Sequence, residues 1–155
     1  MLKLTREEIQ SLIEKSNASL RKRAALPFHP SEKLGTRCII NCIQQDSYVA
    51  PHLHPNLNGQ EIWMPLQGKI AVLIFTEEGK INDKMLLSST DHIFIEIPNR
   101  TYHTAVALER NSIMYELSEG PYFPDSYKKF APWAPSENDR ERAVEYLQQL
   151  KRELL

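Results

Sequence analysis

The stretch 48-YVAPHLHPNLNGQEIW-63 decides how this chain is read. It holds two of the five histidines, one residue apart, then a turn rich in proline, asparagine and glycine, then a glutamate. In an extended strand alternate side chains share a face. Tyr48, Ala50, His52 and His54 then point one way, and Val49, Pro51 and Leu53 the other. Two imidazoles at i and i+2 stand roughly 6 to 7 Å apart at Cα, which suits convergence on one metal at ~2.0 to 2.1 Å. The turn reverses the chain and returns Glu61 beside them as a third candidate ligand. Gln60, a poorer neutral ligand, is the neighbour that could take its place.

Outward from this stretch, short β-type runs separated by turns extend from residue 36 to about 117. "TRCIINCIQ", "SYVAPHLH", "EIWMPLQ", "KIAVLIF", "KINDKMLL", "HIFIEIP", "HTAVALE" and "SIMYELS" each read as a strand. "EEGK", "LSSTD", "PNRTY" and "ERNS" punctuate them. About eight strands at roughly ten-residue spacing predict an antiparallel sandwich or barrel. No run in this region has the length or period of a helix, which argues against a βαβ fold.

Helices flank the strands. Thr5 and Glu8 form a capping-box pattern ahead of Ile9, Leu12, Ile13 and Leu20, which predicts an amphipathic helix over about residues 5 to 20. "RKRAALPFHPSEKLG" reads as an irregular connector. Beyond residue 118, four prolines and several aromatics make a segment that wraps a surface. Ser136 is positioned to cap a final helix whose apolar stripe is Val144, Leu147, Leu150 and Leu154. The organisation expected is one domain in three parts: helix and connector over 1–35, a β core over 36–118, and a wrapping segment with a C-terminal helix over 119–155.

Composition narrows the function. The 155 residues fit a single domain, with 41% hydrophobic and 25% charged residues. A net charge of −1 makes no electrostatic case for nucleic acid or an anionic membrane surface. No apolar run approaches the ~20 residues of a membrane span. "MLKLTREEIQ" has acids where a secretory signal needs an apolar core, so the chain is read as cytoplasmic. Cys38 and Cys42, four residues apart on a strand, lie roughly 13 Å from each other at Cα, beyond disulfide reach. Free, buried thiols are expected.

His103, opening a strand after the turn "PNR", is the fourth candidate ligand. Three imidazoles and a carboxylate suit Zn, Fe, Mn, Ni or Cu and not the all-oxygen preferences of Mg or Ca. Such a set leaves positions open for water or substrate. Glu61, Tyr102 and Glu116 are the candidate catalytic residues, the last two as proton carriers. Trp63 and Tyr48 are candidate pocket residues. His29 and His92 are read as structural. Arg21 and Arg23 read as a solvated helix end, or as an arginine fork should the partner carry phosphate.

His52, His54, Glu61 and Gly68 together look like the first cupin motif, and Pro98 to His103 like the second. In cupins these two histidines, the glutamate and the second-motif histidine hold the metal of a jelly-roll barrel. "SYVAPHLHP", "GKIAVLIFTEEGKI" and above all "GPYFPDSYKKFAPWAPSE" resemble the cupin-fold metalloproteins of the WbuC family, found in bacterial O-antigen gene clusters. Asp46, His92 and Arg100 stand where cupins commonly have glycine, and Ala107 replaces a frequent asparagine.

The resemblance implies a mainly β cupin jelly roll, an antiparallel double sheet with flanking N- and C-terminal helices. It also implies a divalent transition metal and a small-molecule partner, with a sugar or sugar-nucleotide suggested by the genomic setting. A homodimer through strand edges is the expected assembly. Three activities stay open: a metal-dependent enzyme of isomerase or epimerase type, an iron-dependent dioxygenase, and a metal-anchored binding module without turnover.

Overall fold

A computed structural model describes residues 3–28, 35–55, 60–119 and 127–154. Among these residues ten strands form two five-stranded sheets, packed so that α1 (Arg6–Ala18) covers one and α2 (Arg140–Arg152) the other. The first sheet contains β1 (Arg23–Pro27), β2 (Thr36–Ile43), β9 (Ser112–Glu119), β4 (Gln60–Gln67) and β7 (Ile95–Pro98), in that order. The second contains β10 (Lys129–Phe130), β3 (His52–Leu53), β8 (Tyr102–Ala107), β5 (Ile70–Phe75) and β6 (Ile81–Leu87). Every pairing between these strands is antiparallel. This is the expected cupin-type double-sheet jelly roll.

Period-two alternation explains the layers. On β5, Ala71, Leu73 and Phe75 face outward and pack with Tyr102 and Val106 of β8 beneath Ala143, Leu147 and Leu150 of α2. Ile70 and Val72 face inward, with Ala105 and Ala107 of β8 and Trp63, Ile97 and Met114 of the opposite sheet. Behind the first sheet, Leu12 of α1 packs on Ile40, Cys42 and Ile113. Cys38 and Cys42 form no disulfide, as expected; Cys42 is buried, while Cys38 is half-buried and accepts from the Tyr115 hydroxyl at 3.1 Å.

The capping box forms as read: Thr5 N donates to Glu8 Oε2 at 2.8 Å and Glu8 N to Thr5 Oγ1 at 3.2 Å. Four expectations are corrected. "RAALP" is a strand, not connector, because its N–H and C=O groups complete the ladder of β2. The run "SYVAPHLH" contributes only His52 and Leu53, since Pro51 and Pro55 on either side have no N–H to give a ladder. The last helix is capped by Asp139, which accepts from Arg142 N at 3.3 Å, and not by Ser136. Leu20 is 81% and Val144 56% exposed, so Ala143 takes the core position beside Leu147. His29 lies outside the described residues.

Gly68 closes β4 onto β5 with φ +72, and a Cβ there would meet Ser112 Oγ at 2.7 Å. Ser112 cannot yield freely, because its hydroxyl donates to Lys69 O and Glu109 O. Gly68→Ala is expected to cost about 2 kcal/mol. In a domain of this size that lowers Tm by about 4 to 8 °C, measurable by calorimetry.

Candidate metal centre

His52 and His103 are cross-strand partners on β3 and β8. His54 follows β3 directly, and its Nδ1 sits 2.7 Å from the carbonyl of Tyr127. Glu61 comes from the other sheet, where β4 pairs it with Ser118 of β9 and Ile97 of β7. The site therefore lies between the sheets, and all four side chains are at most 2% exposed. One ring nitrogen from each of His52, His54 and His103 lies within 4.8 Å of the other two. Glu61 Oε2 is 3.1 Å from Nε2 of both His54 and His103. The long spacer thus brings Glu61 to the histidines, while Gln60 is exposed; residues 56–59 of the turn lie outside the described residues.

The hydrogen bonds set the chemistry of the rings. His52 Nδ1 is 2.9 Å from Ala50 O, His54 Nδ1 2.7 Å from Tyr127 O, and His103 Nδ1 2.8 Å from Thr101 O. A carbonyl only accepts, so each Nδ1 carries the hydrogen and each Nε2 keeps its lone pair in the neutral ring. Nε2 of His54 and His103 and Oε2 of Glu61 are buried and find no hydrogen-bond partner among the described residues. Two ring nitrogens each 3.1 Å from the same carboxylate oxygen, all three acceptors, need positive charge between them. Burial, with Lys128 and the other two imidazoles, pushes His52 well below the usual histidine value, which keeps its ring neutral. Burial alone would raise Glu61, but the adjoining His103 and His54 outweigh it and hold its carboxyl well below the usual carboxylate range. Neutral imidazoles and an ionised carboxylate are the forms that ligate transition metals. The three-histidine group is suited to binding a metal ion.

Glu116 also faces the interior, opposite Trp63 on β4 and Ile39 on β2. Burial first, and the charge of Glu61 second, push its carboxyl up to about 7, while Lys128, Arg37 and His103 pull it down. Asn41 Nδ2 donates to Glu116 Oε2 at 2.9 Å. Trp63 stands edge-on to His103 with ring centroids 5.3 Å apart. Tyr102 is corrected: adjacent to His103 on β8, it must face the other way, and it packs on Trp133 at 5.9 Å outside the sheet. Tyr48 likewise lies under α2, 6.0 Å from the ring of Tyr146, so the shared face expected for residues 48 to 54 begins only at His52. Arg21 and Arg23 both pair with Glu137 rather than reaching the site. His92 is exposed, with its Nδ1 3.1 Å from Leu86 O.

One site residue was not anticipated. Tyr127 receives the His54 hydrogen on its carbonyl, and its hydroxyl lies 3.4 Å from Glu61 Oε1 and 3.1 Å from Ser118 Oγ. Its position within the aromatic wrapping segment was the only available signal.

Residues 4–87, more than half of the chain, match the model of a family described as Domain of unknown function (DUF6016). No curated protein matches the chain by sequence. Among solved structures the chain is similar to KdgF from Halomonas sp., at 21% identity, 70% of this chain, 87% of that one and a TM-score of 0.53. It is similar to a variant of salicylate 1,2-dioxygenase from Pseudoaminobacter salicylatoxidans in complex with gentisate, at 13% identity, 83% of this chain, 37% of that one and a TM-score of 0.61. It is also similar to oxalate oxidase in complex with the substrate analogue glycolate, at 15% identity, 88% and 74% coverage and a TM-score of 0.56. At these identities the likeness establishes the cupin fold.

Purified protein is expected to take up zinc, and its Tm to climb with zinc concentration. His103→Ala should weaken zinc binding by at least about 100-fold in a chelator competition. Tyr102→Phe should bind zinc as the unmodified protein does. Equal loss in both variants would contradict the placement of the two residues.

Proposed function

The chain belongs to the DUF6016 family, and on that footing we propose that it is a metal-dependent cupin enzyme acting on a sugar or sugar-nucleotide. The observation that carries the reading is the meeting of two bare Nε2 atoms and a bare carboxylate oxygen in a buried site. His52, His54, His103 and Glu61 would hold a divalent transition metal, zinc, iron, manganese or nickel. When bound, such an ion supplies Lewis-acid polarisation of a substrate carbonyl or hydroxyl oxygen.

The protein's own residues supply the rest. Burial between the sheets excludes bulk water from the ligands and strengthens every charge interaction there. Glu116, with its carboxyl near 7, divides between acid and base at neutral pH, the condition for moving a proton to or from a substrate hydroxyl. Asn41 fixes the orientation of that carboxyl. The sugar part of the proposal rests on the resemblance of the tail to the WbuC family and its polysaccharide setting. A second reading, an iron-dependent dioxygenase, draws on the three-imidazole donor set and on the fold shared with salicylate 1,2-dioxygenase.

Elemental analysis of protein purified without added metal, followed by turnover on a nucleotide-sugar panel with and without chelator, tests the proposal. Chelator-sensitive turnover is expected. Absence of turnover across the panel, with bound iron and dioxygen-dependent activity on aromatic acids, would move the assignment to the second reading. The pH dependence follows from Glu116. Its folded-state value is raised, so between about 4.5 and 7 the folded metal-free protein holds a proton that the unfolded chain has released. Stability then falls as pH rises through that window, and Glu116→Gln should flatten the fall in denaturant titrations.

A further inference from the structure

The edge of the second sheet brings a lysine to the histidine cluster. β10 lies beside β3 in a fixed register, with Lys129 opposite Leu53 and Phe130 opposite His52. Directly opposed residues share a face, so Phe130 is on the inner face with His52 and Lys129 on the outer face with Leu53. The rings of Phe130 and His52 agree, with centroids 6.2 Å apart. Two residues before Phe130, Lys128 returns to the inner face and continues the register opposite His54. β10 is the edge of its sheet, and Lys128 and Phe130 are both exposed. They stand where the space between the sheets opens to solvent, on the flank of two proposed metal ligands.

The charge of Lys128 is felt throughout the site. After burial it is the largest influence keeping the His52 ring neutral, ahead of His103 and His54, whose ring centroids lie 4.6 and 5.1 Å away. It also pulls on Glu116 and interacts with Glu61. Yet among the described residues no carboxylate comes within ion-pair distance of its ammonium, and no hydrogen bond ends on it. The other interior charges are placed differently: Arg37 lies 3.9 Å from Glu116, and Glu61 faces His54 and His103. With both acids ionised they offset Arg37 and Lys128, so a bound divalent ion leaves the described cavity doubly positive. A sheltered space of that sign favours an anionic occupant.

We propose that Lys128 is a specificity-determining residue that takes an anionic oxygen group of the substrate, a carboxylate or a phosphate, while the sugar ring lies along Phe130 toward the histidine cluster. This deepens the metal-enzyme reading and rests on it. Phe130, 57% exposed, offers an apolar ring face beside His52. The ammonium offers three donors and a compact charge, which suit carboxylate and phosphate alike.

Calorimetric titration of the full, zinc-loaded protein with glucose, glucuronate and glucose 1-phosphate tests this. At least one of the two anions is expected to bind about tenfold more tightly than glucose, the effect of one charge-assisted hydrogen bond. The anion that responds identifies the group, carboxylate or phosphate. Lys128→Gln should lose the margin while keeping its zinc content and Tm, and Lys128→Arg should retain it. Lys129→Gln, which removes the neighbouring charge from the outer face, should leave the margin intact. Affinity for both anions no higher than for glucose in the unmodified protein would overturn the assignment. So would an unchanged margin in Lys128→Gln, or in Lys128→Met should the glutamine variant not fold, since the anion would then sit on zinc alone. An equal loss in Lys129→Gln would overturn it as well, by showing a general effect of net charge. Zinc content, measured separately, keeps the two ideas apart. Loaded protein indifferent to Lys128 sinks only this role, whereas protein that takes no zinc yet binds the anion through Lys128 sinks the metal reading.

Discussion

Three backbone carbonyls govern the site. Ala50, Thr101 and Tyr127 each accept the Nδ1 hydrogen of one histidine, and in the neutral ring this leaves the other nitrogen as an acceptor. The carbonyls come from three separate places: the irregular run before β3, the turn before β8, and the chain leading into β10. The carboxylate facing the imidazoles comes from the other sheet. No single hairpin contains the constellation, so it exists only when both sheets have paired and the tail has docked. Positive charge bound there would favour the folded chain over the unfolded one, which has no preformed site. Metal binding and completion of the fold are thus one coupled equilibrium.

The two interior carboxylates show how environment divides similar groups between roles. Glu61 sits against two imidazole nitrogens and stays ionised despite its burial. Glu116 has the same chemistry but an amide donor on one oxygen and a distant guanidinium at the other. Burial and the nearby charge of Glu61 therefore win, and its carboxyl rises to about 7. Pairs of acids pushed apart in this way separate a ligand from a proton carrier within one cavity.

Most strands and the pairing of His52 with His54 were legible in the sequence because they follow from local periodicity, whereas Glu61 and His103, remote along the chain, were singled out by the resemblance to the cupin motifs. Alternation placed His52 beside His54, and the β-branched runs marked β2, β5 and β9. What local periodicity does not contain was lost. β1 is an edge strand of five residues ending in Pro27, and its identity depends on a partner that follows it in the chain. β3 shrank to two residues because prolines interrupt its ladder. Tyr102 was excludable from sequence: a residue adjacent to an inward His103 on a strand points outward. Tyr127 was not, since its importance arises from contacts with His54 and Glu61 across long separations. Arg100 shows the intermediate case. It holds φ 56 at a turn where related motifs use glycine, so the turn shape survived a change of residue that the sequence flagged as a departure.

The space between the sheets is graded rather than uniformly apolar. At one end Ile70, Val72, Leu87, Ala107 and Met114 pack together in one apolar cluster. At the other, Arg37, Asn41, Glu61, Glu116 and Ser118 line the same sheet face, with His52, His54 and His103 opposite. Trp63 stands at the boundary, packed in the apolar cluster yet edge-on to His103. The grading is sustainable because the helices bury the outer faces of both sheets, through Leu12 on one side and Leu147 and Leu150 on the other. A sandwich with bare outer faces would need its whole interior for apolar burial. With two covered backs, one end of the interior is released for charge, and it is there that the histidines, the acids and the arginine have been gathered.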